Sequence, residues 1–203
     1  MSKTTITYIH GWGSGPEIWQ DVINELPEFT HKTLNLGFTG KEANIEFTNA
    51  IYVTHSMGTM VALKNAYKQI NALIAINGFS HFMPFTKPQT LDRMLENLKQ
   101  TPEQQMQDFW QTTNLPANQT INQNQLKQGL GWLKNWDTTN ELESLTCPIL
   151  SIYGDTDPIL NKQRMNKHWD GYTTHIIKNA GHNIPLSHAS FCANKIREAA
   201  NAF

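Results

Sequence analysis

Residues 50–58 read Ala50-Ile51-Tyr52-Val53-Thr54-His55-Ser56-Met57-Gly58. A short apolar run with strand character ends at a serine, and a helical pattern begins at once. Met60, Val61, Leu63, Ala66 and Tyr67 recur at the spacing of one helix face. A strand that turns straight into a helix leaves its turn residue at the strand's carboxyl end. So sharp a turn holds the serine backbone at a strained positive φ and asks for small residues on either side. Gly58 meets that demand. On the near side, where the pattern G-x-S-x-G has its first glycine, stands the β-branched Thr54. Taken alone, S-x-G also describes a serine capping a helix, so the surrounding chain has to decide.

Outward from this turn, strand-like runs fall at 4–9, 32–36, 50–53, 72–76, 149–153 and 173–177. Three are rich in Ile, Val and Leu without strict alternation, as expected of strands covered on both faces. Helical patterns at 16–26, 57–70 and 191–202 lie between or after them. Alternating strands and helices predict an α/β fold with about six mostly parallel strands flanked by helices. From 81 to 137 the alternation breaks. Three helical patterns (91–99, 102–112 and 124–136) follow one another, with a polar loop over 117–128 running into the third. A crossover needs only one helix, so this stretch reads as a helical lid insertion over the strand ends. At 203 residues, the chain is expected to form a single domain, 1–203, with that insertion at about 81–137.

Composition narrows the class. Hydrophobic residues make up 39% and charged residues 16%, with 20 Asn and 13 Gln supplying much of the polarity. That is too apolar and too weakly charged for a disordered chain. The net charge is -1 and no charge run stands out, which argues against a nucleic-acid partner held by phosphate contacts. No run approaches the roughly 18 apolar residues of a membrane span, and the polar start 1–5 carries no signal-peptide core. Cys147 and Cys192 form no CxxC pair and read as small core residues of a reducing compartment. The expectation is a cytoplasmic monomer without a membrane partner.

Three further motifs sit at predicted strand ends. After the first strand comes Ile9-His10-Gly11-Trp12-Gly13. It is not a dinucleotide loop, because Gly15 is followed by Pro16 and G-x-G-x-x-G is absent. After the fifth comes Tyr153-Gly154-Asp155-Thr156-Asp157-Pro158, where an acidic partner for a histidine would sit. Asp157, three residues past the glycine and leading into Pro158-Ile159, is the choice; Asp155 is the alternative, expected to shape the turn through its own backbone bonds. After the last comes Asn179-Ala180-Gly181-His182-Asn183. Each motif alone has a bland reading as turn chemistry. Together they place Ser56, Asp157 and His182 in one of the three known chain orders of a Ser-His-Asp triad. Of the other histidines, His10 is expected to brace its loop and His55 to lie beside the pocket. No H-E-x-x-H or similar spacing suggests a metal.

On these residues the chain resembles the α/β-hydrolases. Within them it resembles the pimeloyl-[acyl-carrier protein] methyl ester carboxylesterases of biotin synthesis. The likeness is carried by His10-Gly11-Trp12-Gly13 with Glu17-Ile18-Trp19, by Ser56-Met57-Gly58, by 129–158 and by 180–191. The resemblance implies a small α/β-hydrolase fold and a serine carboxylesterase working through an acyl-enzyme, with no cofactor or metal. Ser56 would be the nucleophile, His182 the general base and then acid, and Asp157 its orienter. The backbone N–H groups of Trp12 and Met57 would form the oxyanion hole, and both residues would line the acyl pocket. Phe109 would contact the acyl chain, with the residues up to Thr113 beside it. The substrate implied is an acyl ester, foremost the methyl ester of a pimeloyl chain on an acyl-carrier protein, which makes that carrier a candidate partner. Two departures matter. Thr54 replaces the glycine, and between His81 and Asp137 five basic residues face five acidic ones, where the family uses arginines to hold an acidic carrier. The rival expectations are a generalist short-chain esterase, thioesterase or lipase, and a non-catalytic ligand-binding protein on the same scaffold.

Overall fold

The computed structural model describes residues 3–40, 42–117 and 120–201. Along these the chain runs β1 (Thr5–Ile9), α1 (Gln20–Asn24), β2 (Thr30–Leu34), β3 (Ala50–His55), α2 (Gly58–Ala66), β4 (Ile70–Ile76), α3 (Pro88–Gln100), α4 (Pro102–Thr113), α5 (Gln123–Asn135), α6 (Thr139–Glu143), β5 (Ile149–Gly154), α7 (Lys162–His168), β6 (Thr173–Ile177), α8 (Ile184–Ser187) and α9 (Ala189–Asn201). The strands form one six-stranded sheet, order β2-β1-β3-β4-β5-β6, and every neighbouring pair is parallel. Every residue of β3 is buried, as is nearly all of β4, which is why their stretches 50–53 and 72–76 read as apolar runs rather than alternating ones.

The strand order fixes where a ligand can bind. From β1 the chain crosses to β2 on one side, then returns to β3 on the other side of β1. With right-handed crossovers, the connections on the two sides of β1 lie on opposite faces of the sheet. A crevice therefore opens at the carboxyl ends of β1 and β3, the topological switch point. The loop at 10–13 and the turn at Ser56 are the two walls of that crevice.

Strand ends differ from the sequence expectation by one or two residues, β4 for instance starting at Ile70 rather than 72, and two of the differences bear on the site. The second strand lies at Thr30–Leu34 rather than 32–36, because Asn35 leaves the ladder to bridge Asn44 and the Leu36 N–H turns to His10 Nε2 at 2.9 Å. The third runs on to His55 and delivers Ser56 directly. The helical pattern from 16 begins as a 3₁₀ turn, Pro16–Trp19, before α1. Residues 118 and 119 of the expected loop and 202 of the expected last helix lie outside the described residues.

Helices α3, α4 and α5 stand between β4 and β5, and each start has a local cause. Both α3 and α4 open with proline in the first turn, where a missing N–H costs no helical bond. The α5 start is capped by the Asn122 side chain, which accepts from the Gln125 N–H. Asn114 ends α4 at φ 54°, a left-handed stop that Asn tolerates. The segment leaves and rejoins the sheet through a narrow neck. His81 pairs with Asp137 in an antiparallel bridge, and Thr138 donates to the Ser80 carbonyl from both its N–H and its hydroxyl at 2.7 Å. No helix of the described residues is long and apolar enough to cross a membrane.

Candidate active site

Ser56 sits at the end of β3 with φ 52°, the left-handed conformation that the sharp turn requires. Its N–H is held by the Ile76 carbonyl at 3.0 Å. Gly58 follows because nothing larger fits: a Cβ there would meet the Ile9 and His10 carbonyl oxygens at 2.5 and 2.8 Å. Thr54, the residue that departs from the glycine pattern, is fully buried. Its hydroxyl lies 2.7 Å from that of Thr59 on α2. Room for this pair comes from Gly78, where a Cβ would stand 2.1 Å from Thr59 Oγ1. The space lost at one glycine position is recovered at another.

The three residues picked from the strand ends meet. The Ser56 hydroxyl lies 3.1 Å from His182 Nε2. His182 Nδ1–H donates to Asp157 Oδ2 at 2.7 Å. The side chains of His182 and Asp157 are 4% and 1% exposed, so the carboxylate is shielded from water. Asp157 Oδ1 accepts from the N–H groups of Ile159 at 2.7 Å and Leu160 at 3.0 Å. Burial alone would raise the Asp157 pKa; the charge and hydrogen bond of His182 and the two backbone donors outweigh it and hold the carboxyl below its ordinary value. Asp155 faces elsewhere, accepting from the Asn179 N–H at 2.6 Å and lying 3.7 Å from Lys162 Nζ.

His10 braces the loop after β1. His10 donates through Nδ1–H to the Gly11 carbonyl at 2.9 Å, and burial pushes its pKa down to about 4. Neither the Trp12 nor the Met57 backbone N–H donates to a protein acceptor among the described residues. Both belong to the two loops that flank Ser56. The Met57 side chain is fully buried and lies off the cavity wall.

Two residues matter more than their sequence context suggested. His55, expected beside the pocket, is instead 2% exposed and donates through Nε2–H to the His182 carbonyl at 2.9 Å. Burial, then the charge of His182, pushes its pKa down to about 3, so it is neutral. Its Nδ1 has no hydrogen-bond partner among the described residues. Asn77, at φ 44° just past β4, donates to the same carbonyl at 2.6 Å and to that of Gly181 at 3.0 Å. Its Oδ1 accepts from the Gly154 N–H at 3.0 Å. Asn77 thus ties the Asp157 segment to the His182 loop. The signal available in sequence was only an Asn-Gly pair after a strand.

Above Ser56 and His182 lies a cavity of about 490 Å³, walled by Trp12, Phe79, Phe82, Phe85, Met94 and Phe109, with Arg93 and Asp108 as its charged members. Phe109 meets Trp12 edge-on at 4.7 Å between ring centres. Thr113 is buried, with its hydroxyl on the Phe109 carbonyl at 2.8 Å; Thr112 is the one of the two that lines the cavity. Of the five basic residues between 81 and 137, Lys99 pairs with Glu96 and Lys134 with Asp92. Among the described residues, no group of three or more His, Cys, Asp or Glu could hold a metal ion.

A model of the Alpha/beta hydrolase family matches residues 30–195. The chain is 24% identical over 229 residues to a pimeloyl-[acyl-carrier protein] methyl ester esterase of Pectobacterium atrosepticum, covering 92% of this chain and 90% of that protein. It is 26% identical over 237 residues to the protein of the same name from Proteus mirabilis, covering 92% and 88%. Among solved structures, the enol-lactonase from Burkholderia xenovorans LB400 aligns with a TM-score of 0.82 at 12% identity, over 99% of this chain and 92% of that one. The esterase EaEST from Exiguobacterium antarcticum aligns with 0.77 at 16% identity, over 97% and 91%.

Proposed function

The chain belongs to the alpha/beta hydrolase family, and on that premise we propose that it is a serine carboxylesterase. The carrying observation is the continuous relay from Asp157 Oδ2 through His182 to the Ser56 hydroxyl, at 2.7 and 3.1 Å. With Nδ1–H committed to Asp157, the His182 Nε2 lone pair faces Ser56 and takes its proton as Oγ attacks the ester carbonyl. The carbonyl oxygen becomes an oxyanion, which the Trp12 and Met57 N–H groups stabilise. One such donor is typically worth about 2.7–4 kcal/mol in the transition state. His182 then gives the proton to the departing alkoxide, leaving an acyl-enzyme and a free alcohol. Water, activated by the same imidazole, releases the acid and restores Ser56. The left-handed Ser56 backbone costs stability, which an idle scaffold would have no reason to carry.

The aromatic cavity suits an apolar acyl chain. The substrate we favour is the methyl ester of a pimeloyl chain borne by an acyl-carrier protein, the reaction in the name of the curated relatives. A generalist esterase is the second reading. It is favoured by Asp108 on the cavity wall and by the acidic partners of Lys99 and Lys134, which weaken attraction to an acidic carrier. Fluorophosphonate labelling tests the chemistry: wild type should be trapped and S56A should not. Turnover of carrier-borne pimeloyl methyl ester against p-nitrophenyl and acyl-CoA esters tests the substrate. Equal or better turnover of the free esters rejects the carrier reading.

A further inference from the structure

The helix α4 touches both loops that a serine hydrolase must hold still. On one side Trp110 donates through Nε1–H to the Gly13 carbonyl at 2.7 Å. Gly13 has φ 69°, and a Cβ there would meet Met106 Cε at 2.9 Å and Phe109 Cε1 at 3.0 Å, so the helix is pressed against bare backbone. On the other side, the Thr113 carbonyl at the end of α4 accepts from the Asn183 side chain, and Asn183 is the residue after His182. Trp110 and Thr113 are 3% and 1% exposed, so neither bond is exchanged for water. A second bolt joins the same loop to α5: Trp12 Nε1–H donates to the Leu126 carbonyl at 2.9 Å.

We propose that α4 is a strut of the active site as well as a wall of its cavity, and that Trp110 is a positioning residue for the oxyanion loop. The inference rests on the serine-hydrolase reading. The Trp12 N–H belongs to the peptide just before the one that leads to Gly13. Pinning the Gly13 carbonyl and the Trp12 indole leaves the intervening backbone little freedom to rotate that N–H away from the oxyanion. Trp110 touches no reacting atom; it acts through Gly13. Its effect falls on the transition state, where charge is on the oxygen, and little on ground-state binding.

Two substitutions separate the indole N–H from its bulk. W110F keeps an aromatic ring and loses the donor. W110H keeps a ring N–H at the matching position and loses the larger ring. Rates on a p-nitrophenyl ester are referred to serine titrated with fluorophosphonate, so a partly folded sample does not mimic the effect. Expected for W110F is a fall in kcat of roughly tenfold to hundredfold with KM within about threefold, the scale of a small displacement near reacting atoms. Affinity for phenylboronic acid, which forms a tetrahedral adduct on the serine, should fall in parallel. W110H should recover most of kcat while melting below W110F. W136F is the control, since that ring stacks on Trp132 and bonds neither loop. If W110F keeps wild-type kcat and boronate affinity, or if kcat follows bulk so that W110H is worse than W110F, the strut is refuted. A wild type that neither hydrolyses esters nor takes the fluorophosphonate refutes the serine-hydrolase reading itself.

Discussion

Replacing Asn77 by alanine should cost more than any other single polar truncation near the site. The side chain is fully buried and makes three bonds, two to the carbonyls of Gly181 and His182 and one from the Gly154 N–H. The His182 carbonyl keeps His55 as a donor. The buried Gly154 N–H loses its acceptor outright, at about 1–3 kcal/mol. Loss of the donor to Gly181 and His182 adds about 1 kcal/mol. Alanine at φ 44° adds about 1 kcal/mol more, because its Cβ crowds the carbonyl where Asn gains local polar contacts. The sum is about 3–5 kcal/mol, a large share of the 5–15 kcal/mol typical of a domain. Urea unfolding with a shared m-value reads it directly. The thermal midpoint should fall by roughly 6–20 °C at 2–4 °C per kcal/mol. N77G relieves the backbone crowding and should recover about 1 kcal/mol. Because His182 loses half of the donors on its carbonyl, kcat should also fall about tenfold or more. An N77A protein within 1 kcal/mol of wild type would show that these bonds do not hold the His182 loop, and equality with N77G would show only that the left-handed backbone adds nothing.

Three further expectations follow from the same geometry. D157N should lower kcat by about 10⁴-fold by turning the imidazole to the wrong tautomer, while D155N should leave kcat within a few-fold; steady-state rates of the two variants distinguish them, and the reverse order would reassign the acid. G58A should destabilise by about 1–3 kcal/mol and lower kcat more than a hundredfold, since the new methyl meets the backbone of Ile9 and His10; chemical denaturation and turnover on the purified variant check both. Acid should unfold the protein early. His10, His55 and His168 have pKa values pushed down, burial first, to about 4, 3 and 4. Below the unfolded value of about 6.5, the unfolded chain binds protons that the folded one refuses, so stability is complete above that pH and is lost as pH falls toward 4. Each group is worth on the order of 3 kcal/mol over that window. Urea midpoints at pH 7.5 and 5 give the slope, and H10Q, which removes one titrating group, should flatten it.

What could be read from the chain alone was everything that depends on neighbours in sequence. Apolar runs and helical spacing gave the α/β order, because the periods of strand and helix are properties of adjacent residues. Gly58 was legible because a left-handed serine demands a small residue two places on. Ser56, His182 and two candidate aspartates stood out because turns at strand ends have their own chemistry. The second strand was misplaced by two residues because Asn35 and Leu36 take partners, Asn44 and His10, that no local pattern announces. Only the tertiary structure brought Asp157, not Asp155, to His182, because the two carboxylates share a turn and differ only in direction. It alone showed that Thr54 is accommodated by Gly78, 24 positions away. The holding bonds are more remote still: Trp110 to Gly13, Asn77 to His182 and His55 to His182 span 97, 105 and 127 residues. Such bonds follow from which surfaces pack together in three dimensions, and a chain read residue by residue carries no local mark of them.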